Sequence, residues 1–210
     1  MQPTIVSIVG KPLAGKDTQA DFLVRAHPDS IKISTGHIIR GVQKEQETHR
    51  FWPLIGPYIP MMEKGYKLPD EPTLTMLKTL MKEEFAQGKT LLVIAGSPRG
   101  NDQLDGFNAI ANELGASFHV VHLDATDEET YQRSAHRNEG RIDDTPEAHK
   151  VRLEEYETYV APMVARLKQE GKVTTIDGMQ PPEKVFRDME HFMYSRVLDP
   201  EASLPARARR

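Results

Sequence analysis

Gly10-Lys11-Pro12-Leu13-Ala14-Gly15-Lys16-Asp17-Thr18 is the stretch on which the fold turns. It departs by one residue from the phosphate-loop pattern G-x-x-x-x-G-K-[ST], with Asp17 at the hydroxyl position and Thr18 just after it. The preceding run, residues 4–9, is short, β-branched and bounded by glycine, which reads as a buried parallel strand. Beyond the loop, Ala20, Phe22, Leu23 and Val24 fit a helix over 18–25. Strand, glycine loop and helix together give the motif its mechanism. Backbone N–H groups of the loop surround phosphates, the helix dipole favours their charge, and Lys16 reaches the terminal phosphate.

Outward from the loop, strand-like runs recur at 31–34, 90–95, 117–123 and 173–176. Helical patterns lie between them at 72–87, 102–114, 127–136, 146–169 and 182–194, and Pro162 is expected to divide the fourth into two helices. Gly88 and Gly171 fall where helix C-caps would precede strands. This alternation predicts an α/β fold, an open five-stranded parallel sheet with helices on both faces. Two segments interrupt it. Residues 35–71 carry helical pieces near 37–47 and 58–64 among several Pro and Gly, and residues 138–145 are short, polar and charged. Both follow elements that end on the phosphate-loop side, where open α/β sheets bind ligands.

Composition narrows the class. The 210 residues are 38% hydrophobic, enough for one core with small insertions. A net charge of −4 gives no reason to expect nucleic acid or a membrane surface as partner. With no cysteine, disulfides and thiolate metal sites are excluded. No apolar run approaches a membrane span, and the N-terminus lacks a signal peptide's basic start. The expectation is a soluble cytoplasmic monomer, with a basic, disordered tail over 197–210.

Four more clusters carry chemistry: Ser34-Thr35-Gly36-His37-Ile38-Ile39-Arg40; Gly65-Tyr66-Lys67-Leu68-Pro69-Asp70-Glu71; Gly96-Ser97-Pro98-Arg99 with Gln103 beyond it; and Arg133, Arg137, Arg141, Asp143-Asp144 and Arg152. Their order and spacing resemble the adenylate kinase family of nucleoside monophosphate kinases, short-lid type, over nearly the whole chain. The resemblance implies a P-loop kinase core at 1–34, 72–137 and 146–196, a monophosphate-binding insertion at 35–71 and a lid at 138–145. It implies ATP and a nucleoside monophosphate as partners, with Mg²⁺ accompanying ATP. The ATP phosphates would lie on Gly10, Leu13, Ala14, Gly15, Lys16, Asp17 and Thr18, with Arg133 and Arg137 on the donor side. The acceptor would meet Thr35, Gly36, Arg40, Leu68, Gly96, Arg99 and Gln103. Lys16, Arg99, Arg137, Arg141 and Arg152 would carry catalysis.

The chemistry is coherent. Phosphoryl transfer between nucleotides gathers negative charge in one cleft, so positioning and electrostatics do most of the catalysis. Arginine's planar fork is always protonated and binds phosphate bidentately. Asp143-Asp144 has two readings, a helix N-terminus favoured by the dipole and a partner for lid arginines. Uracil- and cytosine-accepting relatives usually carry Ala at the place of Thr35 and Asn at the place of Gln103, so Thr and Gln here predict AMP. A glutamine amide matches the N1 and N6 edge of adenine. Asn101-Asp102 and the stretch 104–108 look closer to the pyrimidine members.

Three departures surround the metal. The family has carboxylates at the places of His37 and Ala95 that hold the waters of Mg²⁺, and it does not have Asp at position 17. The expectation is that Asp17 takes over part of the lost role; the competing reading is that it repels the phosphates and leaves a weakened enzyme or nucleotide-binding regulator. Leu13 replaces a usual Gly, and Ser97 a usual Phe.

Overall fold

A computed structural model of the protein describes residues 2–136 and 145–198. Arg137, Arg141, Asp143, Asp144, most of the expected lid and the tail from 199 onward lie outside the described residues. Five strands, β1 (Thr4–Gly10), β2 (Ser30–Ser34), β3 (Leu91–Ala95), β4 (Ser117–Asp124) and β5 (Val173–Asp177), form one sheet in the order β2-β3-β1-β4-β5. Every pairing is parallel; Val6 lies opposite Val93 on one side and His119 on the other. All five expected strands are present.

The period of two along β1 sends successive side chains to opposite faces. Val6 and Ile8 join Leu23 of α1 (Lys16–Ala26) and Val185, Met189 and Phe192 of α10 (Pro182–Phe192). Ile5 points the other way, to Met76, Leu77 and Met81 of α5 (Asp70–Ala86) and Phe107 and Ile110 of α6 (Asn101–Glu113). Val9 meets a third cluster with Tyr156, Met163 and Leu167.

Residues 35–71 form α2 (Thr35–Glu45), the short helices α3 (Trp52–Ile55) and α4 (Ile59–Glu63), and single 3-10 turns between them. Val42, Phe51, Ile55 and Ile59 are buried in the same cluster as Met76 and Ile94, so this segment is welded to one face of the sheet. α7 (Asp127–His136) leads toward the segment outside description, and α8 (Pro146–Glu155) leads away from it. Thr145 caps α8 through its hydroxyl, which accepts from the Ala148 N–H at 3.1 Å.

Two boundaries differ from expectation. The two helices expected on either side of Pro162 are present, but no loop separates them. A π-helical turn, Tyr156–Val160, joins α8 to α9 (Ala161–Gln169), and Pro162 lies in the first turn of α9, where its missing N–H matters least. The C-terminal helix continues as a π-helical segment, Met193–Leu198, with Met193, Val197 and Leu198 against the core, so the expected tail starts later than 197. No helix among the described residues is long and apolar enough to cross a membrane.

Candidate active site

The phosphate loop leaves β1 at Gly10 and enters α1 at Lys16. A Cβ on Gly10 would sit 2.3 Å from the Leu123 carbonyl oxygen, so only glycine lets the loop turn this close to β4. Leu13 holds φ at +63°, left-handed geometry that a side chain makes costly by about 1–2 kcal/mol. Lys16 Nζ donates to the carbonyls of Gly10 (2.9 Å) and Lys11 (2.5 Å), folding its charge over the loop. Arg133 straps the crown from outside. Its guanidinium donates to Leu13 O (3.0 Å), Gly178 O (2.9 Å) and Glu129 Oε1 (2.8 Å).

The loop floors a cleft of about 750 Å³ at the C-terminal ends of the strands. Of the sequence-predicted residues, Gly10, Leu13, Gly15, Lys16, Asp17, Thr18, Gly36, Arg40, Gly96, Arg99, Arg133 and Arg152 line it. Gly96 and Arg99 arrive on the loop after β3, Gly36 and Arg40 on the first turns of α2, and Arg152 on α8. The Arg99 Nε donates to Gly96 O at 2.8 Å, aiming the guanidinium along the wall. Burial lowers the affinity of Arg99 for its proton, and the carboxylates of Glu155 and Asp17 oppose that shift.

Four predicted residues stand behind the wall instead of on its surface. Ala14, Thr35, Leu68 and Gln103 are buried. Thr35 Oγ1 lies 3.0 Å from Ser97 Oγ, itself fully buried. Gln103 Oε1 accepts from the Arg99 backbone N–H (2.8 Å) and its Nε2 donates to Asp70 Oδ1 (2.8 Å). The amide assigned to adenine is therefore engaged internally at both ends, because a buried polar group needs partners. Each end keeps capacity for one more hydrogen bond.

The residues around Asp17 were not legible as a group. Asp17 faces the cleft with its side chain half-exposed, 3.7 Å from Lys32 Nζ, and Lys32 is held at 2.6 Å by Asp21. Burial raises the Asp17 pKa, but a hydrogen bond from Ser34 and the charges of Lys32, Lys16 and Arg40 outweigh it and hold the carboxyl below its ordinary range. His37 and Ala95 also line the cleft and bring no carboxylate to it. Among the described residues no group of three or more His, Cys, Asp or Glu could hold a metal. The oxygen donors at the loop are one ionised carboxylate, Asp17, and the Thr18 hydroxyl. That set fits Mg²⁺, which takes most of its ligands from nucleotide phosphates and water.

Sequence reasoning gave Tyr66 no role within its cluster and missed Glu155 and Tyr156; all three are on the cleft wall. Glu155 Oε2 accepts from the Lys67 N–H at 3.1 Å, tying α8 to the end of the insertion. Tyr156 Oη pairs with His122 Nε2 at 2.9 Å. Nothing in the one-dimensional pattern paired Tyr156 with β4.

A parallel sheet in this order, a phosphate loop at its mouth and four arginines around one cleft define a P-loop phosphotransferase. The adenylate kinase family model matches residues 8–172. Among relatives, the uridylate kinase of Schizosaccharomyces pombe is 33% identical over 88% of this chain and 94% of that protein. The UMP-CMP kinase of Rattus norvegicus is 30% identical over 90% and 96%, and that of Danio rerio 28% over 92% and 98%. The chain belongs to the adenylate kinase family and is a nucleoside monophosphate kinase.

Proposed function

We propose that this kinase transfers the γ-phosphoryl group of ATP reversibly to AMP, ATP + AMP = 2 ADP. The observation that carries the transfer is the single cleft joining Lys16 and Arg133, at the phosphate loop, to Arg40 and Arg99 beneath the insertion. The loop's N–H groups hold the β- and γ-phosphates, and Lys16 exchanges its loop carbonyls for the moving group. Arg40 and Arg99 orient the acceptor phosphate so that its oxygen attacks the γ-phosphorus as the bond to the β–γ bridging oxygen breaks. Arg152, with Arg137 beside the lid and Arg141 on it, neutralises charge on the equatorial oxygens. Bound Mg²⁺, with Asp17 as its protein carboxylate, would neutralise charge shared by the β- and γ-phosphates.

The division into core, insertion at 35–71 and lid at 138–145 belongs to the same reading, as do a cytoplasmic setting and action as a monomer. AMP rests on Thr35 and Gln103, residue types of this chain itself. A second reading, UMP or CMP as acceptor, is favoured by the relatives' names and by the internal engagement of Gln103. Coupled assays with AMP, CMP, UMP, dCMP, dTMP and GMP, with ATP or GTP as donor, separate them. The highest kcat/KM is expected for AMP with ATP. A higher value for UMP or CMP overturns the AMP assignment, and binding of a bisubstrate dinucleotide without turnover identifies a regulator.

A further inference from the structure

Tyr66 is a large side chain that the folded protein does not use. It lines the cleft, yet 46% of it is exposed, and its ring and hydroxyl have no aromatic, cationic or hydrogen-bonding partner among the described residues. The backbone on either side is fixed. Gly65 turns with φ +99° so tightly against α8 that a Cβ would lie 2.6 Å from the Ala148 carbonyl oxygen. The Lys67 N–H is bonded to Glu155, and the Lys67 ammonium is held by Asp70 at 2.6 Å and lies 4.8 Å from the centre of the Tyr159 ring. A rigid turn thus presents an unpartnered aromatic ring to the cleft.

The ring belongs to the acceptor half. Hydrogen bonds run from Lys67 to Asp70, from Gln103 to Asp70, and from the Arg99 N–H to Gln103, linking the Tyr66 turn to the arginine on the acceptor side. Apolar Ile39, Ile59, Met62 and Pro98 line the same cleft. The other cleft aromatic, Tyr156, is buried, with its hydroxyl on His122. At position 97, where the family resemblance implies Phe, a buried Ser offers no ring.

Resting on the kinase reading above, we propose that Tyr66 is an acceptor-binding residue whose ring supplies the face on which the acceptor base stacks. Every nucleobase has a π-face, so the contact strengthens acceptor binding while hydrogen bonds elsewhere choose the base. An exposed aromatic on a fixed backbone loses little entropy when it does so.

The test compares Tyr66→Phe, Tyr66→Leu and Tyr66→Ala with the wild type, KM being measured separately for ATP and for AMP, UMP and CMP. Tyr66→Ala and Tyr66→Leu should raise the acceptor KM roughly tenfold and leave that for ATP unchanged, while Tyr66→Phe keeps both. In Tyr66→Trp, indole emission should change on adding the monophosphate without ATP. An unchanged acceptor KM in Tyr66→Ala, full retention in Tyr66→Leu, or an emission change with ATP alone overturns the assignment. If the wild type phosphorylates none of the acceptors, the kinase reading fails, and the Tyr66→Trp titration with monophosphate still decides the ring's role. An active wild type with an indifferent ring defeats only this inference.

Discussion

Asp17 is an anion set among cations at the place where two nucleotides must meet. Its lowered pKa keeps it ionised at neutral pH, and the stability this gives is full above the ordinary value of 3.8 and is lost as pH falls from there through the lowered one. With Mg²⁺ beside it the carboxylate would be a ligand; without the ion it would oppose the phosphates. Asp17→Ala is expected to raise the Mg²⁺ concentration for half-maximal rate several-fold, and Ala95→Asp should partly restore it. A faster enzyme at all Mg²⁺ concentrations would show that Asp17 acts by repulsion. Lys16→Ala should lower kcat by about 10²–10³ or more, read in the same assay, because it removes the loop cation that follows the transferred group. Arg99→Ala should raise the acceptor KM well before that for ATP; equal effects would contradict its place beside the acceptor phosphate. That Lys16, Arg99, Arg40 and Arg133 gather at one cleft was legible, because the phosphate loop and the clusters around the arginines stand in an order and spacing that resemble the family's. The places of Lys32 and of Tyr66 on the cleft wall were not, since they depend on which elements the fold brings together.

At the level of elements, the π-helical turn Tyr156–Val160 is anchored to the sheet by one buried pair. His122 on β4 is 3% exposed, bonds Tyr156 through Nε2 and leaves Nδ1 without a partner. Burial pushes its pKa down to about 4 and raises that of Tyr156 to about 12, so both groups are neutral at pH 7. A depressed histidine pKa means the unfolded chain binds a proton first as pH falls. Stability is therefore full above about 6.5, the unfolded value, and declines from there down to about 4, by up to ~3 kcal/mol. His122→Gln, which keeps a donor and acceptor but does not titrate, should flatten this decline in urea-denaturation midpoints measured from pH 7 to 4.5. An unchanged slope would place the titration elsewhere. The strands were readable because β-branched runs of period two leave little choice of face, as with Val6 and Ile8 against Ile5. The π turn was not: Pro162 signals a disruption in the helix, and whether the chain breaks or widens by a turn depends on what Tyr156 meets across the gap.

At the scale of the molecule, one cleft joins the phosphate loop to the arginines proposed for the acceptor. The insertion shares its buried cluster with the sheet face through Val42, Ile55 and Ile59, so Arg40, the arginine proposed for the acceptor, is held at a set position relative to Lys16. Two nucleotides joined through their phosphates then meet donor and acceptor groups already arranged for both. The second half binds at the effective concentration set by the tether, of order mM, with one loss of translational freedom instead of two. A dinucleotide of adenosines joined by five phosphates is expected to bind at least about 10²-fold more tightly than ATP, measured by titration calorimetry. At about a hundred times its Kd it should stabilise the fold by about 2.7 kcal/mol, raising Tm by several degrees. Arg99→Ala should remove most of the gain over ATP and leave ATP's own affinity nearly intact. If the dinucleotide binds no better than ATP, the phosphate loop and the acceptor arginines do not serve one bridged ligand, and the acceptor side has to be sought elsewhere in the molecule.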